Sequence, residues 1–210
     1  MKPLYRAASL AVLFLVLTMK YTCAQADPNS DVRDLVVGMP IRAIPNAGYV
    51  DLLCADDASR TLSSWSASGE CPAGAYGMRA VRFRFDPDTS HDGTSIAGHP
   101  VVLTALFDES ATLAGLEIDT DPEARLYMRK KAFLLGEQVK SRYGSEGWMC
   151  TQRQPEVDEH PIGGVYIRES CRKTLQGRAL VVKRELFRRS GEKGGDFVDQ
   201  TRVSIKRNDR

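Results

Sequence analysis

The densest group of ligand-type side chains is Asp86-Pro-Asp-Thr-Ser-His-Asp-Gly-Thr94. Asp86, Asp88 and Asp92 supply carboxylates, Thr89 and Ser90 hydroxyls, and His91 an imidazole. Oxygen donors of this kind suit Ca²⁺ or another hard cation. The spacing departs from that of a calcium-binding loop, and no Glu closes it with a bidentate carboxylate. His99 follows in the same stretch and could join His91 and Asp92 on a metal. The plainer reading is a solvated connection, because Asp, Ser and Gly are turn formers.

Glu156, Asp158, Glu159 and His160 form a second acidic group. A carboxylate pair could do acid–base work, but three acids in a polar loop also read as plain surface. The chain holds no Gly-x-Ser-x-Gly, no His-Glu-x-x-His and no phosphate loop. The sequence therefore names no catalytic residue.

The cysteines say more. Cys23 precedes a small-residue site, and Cys54, Cys71, Cys150 and Cys171 remain beyond it. Four cysteines without a Cys-x-x-Cys pair, and without a histidine at zinc-finger spacing, read as two disulfides. Three pairings are open, and the sequence-local one, Cys54–Cys71 with Cys150–Cys171, is expected. Each closed loop is worth about 3 kcal/mol in the chain-entropy model.

An oxidising compartment agrees with the N-terminus. Two cations in Met1–Arg6 precede an apolar run from Ala7, and Ala24-Gln-Ala26 supplies small residues for a cut before Asp27. Residues 1–26 read as a signal peptide. Lys20 closes the apolar run short of the roughly 20 residues of a transmembrane anchor. Residues 27–210 are then expected as a single periplasmic or secreted domain.

The formal net charge is +2. The leader carries Lys2, Arg6 and Lys20 and no acid, so residues 27–210 sum to −1. Such a balance points to neither nucleic acid nor a membrane surface as a partner. The charge is unevenly spread: residues 27–121 sum to −9 and residues 168–210 to +7. Either the two ends neutralise one another, or Arg178, Arg184, Arg188, Arg202 and Lys206 make a basic face that docks an acidic partner.

The elements that must position these groups follow from periodicity. Residues 79–85 alternate Val81, Phe83 and Phe85 against Arg82 and Arg84, as a half-buried strand does. Residues 49–54, 100–107, 111–119, 164–171, 178–187 and 197–206 read as further strands, with hairpins at Asp108–Ser110 and across 190–195. Residues 31–44 read as a short amphipathic helix or turn. Residues 56–72 read as a polar loop or short helix tied down by the first disulfide. Thr120-Asp-Pro-Glu123 has the form of a capping box, and apolar residues at helical spacing continue to Tyr143 before Gly144. The expected class is α+β: an antiparallel sheet with one principal helix, about 121–143, packed on it. Each half carries a helix, a Cys, a loop, a Cys and a hairpin, a weak sign of tandem duplication.

Val37-Gly-Met-Pro40, and a helix ending Arg142-Tyr-Gly144 before Trp148, resemble small envelope proteins of the β-lactamase-inhibitor-protein-like fold. The resemblance implies an α+β module that binds other proteins, and it transfers no functional residue. The leading expectation is a non-enzymatic periplasmic binding or assembly-accessory protein whose partner is an envelope protein or an acidic surface component. The alternative is a metal- or small-ligand-binding protein using residues 86–99.

Overall fold

The computed structural model describes residues 30–74, 77–191 and 197–208. The expected leader, 1–26, lies outside the described residues, as does most of the turn at 190–195.

The strands are β1 Tyr49–Cys54, β2 Asp57–Thr61, β3 Arg79–Phe85, β4 Ser95–Ile96, β5 His99–Phe107, β6 Leu113–Thr120, β7 Met149–Gln152, β8 Glu159–His160, β9 Ile167–Leu175, β10 Arg178–Arg189 and β11 Val198–Arg207. They form one antiparallel sheet in the order β2-β1-β3-β5-β6-β11-β10-β9-β7, with β4 paired to β5 and β8 to β10. β6 and β11 therefore join the N-terminal strands to the C-terminal ones.

Alternation sets the two faces. Cross-strand neighbours Phe83, Leu103, Ile118, Val203, Val182 and Cys171 are all buried on one side. At one end of that core, Tyr49, Trp65, Phe83 and Phe107 pack edge to face, with ring centres 5.1–6.0 Å apart along the contacts of Tyr49 and Trp65 with their neighbours. Trp65 is fully buried, and its indole N–H donates to the Pro45 carbonyl at 3.1 Å.

The helix departs from expectation. It forms in two pieces, α1 Leu126–Arg129 and α2 Phe133–Arg142. Thr120 cannot cap it, because its hydroxyl oxygen accepts the Thr201 N–H at 3.0 Å inside the sheet. Asp121 takes the Glu123 N–H instead, at 2.9 Å, and helical turns start later. Between the pieces the chain tightens to i→i+3 bonds, such as Lys131 N–H to Met128 O at 2.8 Å. Leu135, Gly136 and Val139 face the sheet. Gly136 lets α2 approach closely, since a Cβ there would stand 3.2 Å from Val182. Lys173 closes the C-terminal end by donating to the carbonyls of Tyr143, Gly144 and Glu146 at 2.7–2.9 Å.

Of the two readings for residues 31–44, a helix or a turn, the structure shows turns. A Val32–Leu35 bridge and a 3-10 turn at Ile41–Ala43 form them. Asp31 is the reason: one carboxylate oxygen accepts the Val37 N–H at 2.7 Å, drawing the chain into a loop. The other accepts the Tyr143 hydroxyl at 2.7 Å and meets Arg178 at 2.8 Å. Burial, with this carboxylate beside it, pushes the Tyr143 hydroxyl above its ordinary pKa.

Within 56–72 the short helix of the expectation forms as the 3-10 turn Trp65–Glu70, and β2 adds a strand that was not expected. Both local disulfides are present, Cys54–Cys71 and Cys150–Cys171. The second joins directly opposed residues of β7 and β9. Among the described residues no helix is long and apolar enough to cross a membrane.

Asp31 ties three separate segments together from a buried position, so its removal takes an ion-pair partner from Arg178 and the acceptor from the Val37 N–H. Asp31→Ala is expected to lower stability by about 3 kcal/mol, read as a lower urea midpoint; an unchanged midpoint would show that the hub is dispensable.

Candidate functional surface

The loop between β3 and β4 holds Asp86, Asp88, His91 and Asp92. Asp86 accepts the Asp88 N–H at 2.9 Å, and its carbonyl accepts both the backbone N–H and the hydroxyl of Thr89 at 3.0 Å. Ser90 donates to the Gly93 carbonyl at 2.8 Å. These are turn-forming bonds. Asp88, His91 and Asp92 are exposed. Among the described residues, three metal-type ligand atoms come within 4.8 Å of one another only at Cys150, Glu169 and Cys171. The disulfide there removes both thiolates from metal ligation. The loop does not gather Asp86, Asp88, His91 and Asp92 around a point.

His99 is separated from that loop altogether. It opens β5, is buried, and sets its ring nitrogens 2.8 Å from the Pro100 carbonyl and 2.9 Å from that of Met128. It fastens α1 to the sheet.

The second acidic group is dispersed into ion pairs. Glu156 and Glu159 meet the Arg168 guanidinium at 2.7 and 2.8 Å, and Asp158 stands 4.0 Å from Arg189. His160 pairs with the Ser190 hydroxyl at 2.7 Å on the exposed surface, with neither glutamate on its ring. No acid–base pair is assembled.

The five bases of the expected basic face do not share a face. Register decides this. Val182 opposes Val203, so Lys183 opposes Arg202 and Arg184 opposes Thr201. Arg178, Arg184 and Arg188 fall in phase with buried Leu180 and Val182, on the helix side. Arg202 and Lys206 fall on the open side. Most are neutralised by the acidic end of the chain: Arg178 by Asp31, Arg202 by Asp119 at 2.5 Å and Lys206 by Glu117 at 3.3 Å. Arg184 pairs with Asp199 at 2.5 Å, within the basic end itself. Arg188 is also engaged.

The open side of the sheet carries other groups, which periodicity alone did not single out. One cross-strand row runs Arg82, Thr104, Glu117, Ser204, Val181, Arg172. The next runs Val102, Asp119, Arg202, Lys183, Ser170, Thr151. Two shallow depressions lie along these rows. One, of about 260 Å³, is lined by Arg153, Arg168, Ser170, Arg172 and Lys183 together with the carboxylates Glu169, paired with Lys140 at 3.2 Å, and Glu185. The other, of about 550 Å³, shares Arg172 and Lys183 with it. Carboxylates on this face are occupied: Glu117 and Asp119 as above, and Glu185 by Arg168 at 3.4 Å. Arg153, Arg172 and Lys183 are exposed and have no carboxylate partner among the described residues. Between them lies Ser170, whose buried hydroxyl has no hydrogen-bond partner. Unpaired cations around an unused hydroxyl suit an oxyanion.

Another cavity, of about 280 Å³, separates α2 from residues 31–33. Its walls include Asp31 and Tyr143, whose polar atoms are already committed to each other.

Compared with protein-family models, curated proteins and solved structures, the chain finds no match in any of the three.

Arg168 frames the smaller depression and is held by buried Glu159. Burial alone would raise the Glu159 pKa. The Tyr166 hydroxyl, the Glu156 N–H and Arg168 outweigh it and hold the carboxyl below its ordinary range. A depressed carboxyl contributes stability above the unfolded value, about 4.3, that is lost as pH falls through the folded value. Urea melts should therefore lose stability below about pH 5 more steeply for the wild type than for Glu159→Gln. Parallel pH profiles would refute the assignment.

Proposed function

We propose that the chain is an exported, non-enzymatic binding or assembly-accessory protein that holds the acidic surface of an envelope protein against the open side of its sheet. The observation that carries this reading is the cluster of Arg153, Arg172 and Lys183 on a face whose other described charges are largely paired. The face is shallow and polar, which suits a protein surface better than an enclosed small molecule. The Cys150–Cys171 staple at β7–β9 fixes the strand that carries Arg172, limiting the ordering cost of binding.

Two disulfides favour an oxidising compartment, which supports the signal-peptide reading of residues 1–26. The runs β1-β3-β5-β6 and β7-β9-β10-β11 are each antiparallel and meet through their last strands. We read this as a diverged tandem duplication. A hard cation on residues 86–99 is the weaker reading, since its ligand atoms are dispersed.

The test is a pull-down from periplasmic extract under oxidising conditions, comparing wild type with Arg153→Glu/Arg172→Glu/Lys183→Glu. One partner should be retained by the wild type, released by salt, and lost from the variant, because like charges across an interface repel. Retention of the same partner by both proteins would place the contact elsewhere. A thermal shift with Ca²⁺ on the wild type, abolished by Asp86→Asn/Asp92→Asn, would overturn this reading in favour of the metal.

A further inference from the structure

The sheet ends in two edge strands, β2 and β7, and they are not alike. β2 carries Asp57 and Arg60, paired at 3.7 Å, and its ladder with β1 shifts register between Leu53 and Cys54. Charges and bulges of this kind discourage a further strand. β7 reads Met149-Cys-Thr-Gln152, with no charge and no proline, and all four residues are exposed. Its pairing with β9 settles which backbone groups are free. The Arg153 N–H donates to the Arg168 carbonyl at 2.9 Å, in the same register that sets Thr151 opposite Ser170. Bonded and non-bonded pairs alternate along an antiparallel ladder. Met149, Thr151 and Arg153 therefore bond to β9, and Cys150 and Gln152 turn their N–H and C=O groups outward. No partner for those outward groups occurs among the described residues.

The side chains along this edge set the chemistry of what it takes. Met149, Thr151 and Arg153 fall on the open side, and Met149, 74% exposed, opposes Arg172. Arg153 and Arg172 have no carboxylate partner among the described residues. The acids nearby are spent. Glu156, Glu159 and Glu185 meet Arg168, Asp158 meets Arg189, and Glu169, opposite Gln152 on the helix side, meets Lys140. A strand laid along β7 would place its open-side residues beside these uncompensated cations, where acids complete the charge. A second copy does the reverse, because β7 against β7 brings two sets of Arg153 and Arg172 onto one face.

We propose that the partner joins the sheet as a strand. An extended, acidic segment of a protein adds antiparallel to β7, its backbone bonding Cys150 and Gln152 and its acids reaching Arg153 and Arg172. Main-chain bonds supply affinity in this mode, and alternate side chains supply specificity. The Cys150–Cys171 bond holds the receiving strand to β9. This inference rests on the acidic-partner reading above and specifies how that partner is held; a partner gripped by the charged cluster alone would satisfy that reading and not this one.

The test is fluorescence anisotropy of a labelled peptide of about ten residues, alternating threonine and glutamate, with the full chain expressed with its leader and purified oxidised. With the glutamates on the open side, antiparallel addition points the threonine N–H groups at β7 and the glutamate N–H groups away. Binding should weaken with salt, survive N-methylation of every glutamate, and be lost on N-methylation of every threonine. Gln152→Pro removes an outward donor and leaves the β9 ladder its bonds, so it should weaken binding by about tenfold or more, while Gln152→Ala should not. The methylated pair reads the same contact on unaltered protein. The inference fails if the peptide does not bind, if the two methylated peptides bind alike, or if Gln152→Pro binds as tightly as Gln152→Ala. It fails too if light scattering finds a dimer that Gln152→Pro dissolves. Methylated peptides that bind alike and are both released by Arg153→Glu/Arg172→Glu/Lys183→Glu would overturn strand addition and leave the acidic-partner reading standing. That reading falls separately, on the pull-down described for it.

Discussion

The antiparallel pairing of β6 with β11 is the contact on which the rest of this structure depends. It brings residues 115–119 against residues 202–206, and among the described strands it is where the N-terminal set meets the C-terminal set. On the helix side Leu116, Ile118, Val203 and Ile205 are almost wholly buried, each worth about 2 kcal/mol of apolar burial. Gly115 is required there, because a Cβ would stand 3.0 Å from the Ile205 carbonyl oxygen. Without this seam the open face would be two separate surfaces, and α2 would lose part of its floor, Thr201, on β11.

The seam also explains the uneven charge of the chain. Residues 27–121 carry the excess acid and residues 168–210 the excess base. Asp119 with Arg202, Glu117 with Lys206, and Asp108 with Arg207 neutralise the two ends. Exposed pairs of this kind contribute little energy. They penalise a slipped register, which would set like charges opposite one another. They also decide what is left over. Bases next to the seam are consumed, and on the C-terminal side of the open face Arg153, Arg172 and Lys183, on and beside β9 and β10, are left without a carboxylate partner among the described residues.

Part of the strand framework was legible in the sequence, most plainly at 79–85, where alternation leaves one solution. Residues 49–54 and 79–85 were placed to the residue, and the two disulfides followed from local spacing. The basic face was not legible. A strand's own alternation says which residues share a side, but relating β10 to β11 needs the register. Arg202 opposes Lys183 rather than Arg184, so bases that look equivalent point to opposite sides. The helix was over-read for a different reason: Thr120 has the residue type of a cap, but the sheet claims its hydroxyl. Trp65 was hidden in a stretch of small polar residues, where its size was the one available sign of a core position. Asp31 looked like the start of a helix until its long-range partners, Tyr143 and Arg178, showed why the chain turns instead.

The molecule is built on one antiparallel sheet, with helices fastened to one side and an unshielded basic cluster on the other. Native-state hydrogen exchange of the oxidised protein tests this most directly. If β6 and β11 hold the two sets of strands together, the protected amides of β3, β5, β9 and β10 should all become exchangeable in a single opening with one denaturant dependence. Protection of β9 and β10 that persists at denaturant concentrations where β3 and β5 already exchange would show two independent units, and would contradict the β6–β11 pairing as the contact that holds the sheet together.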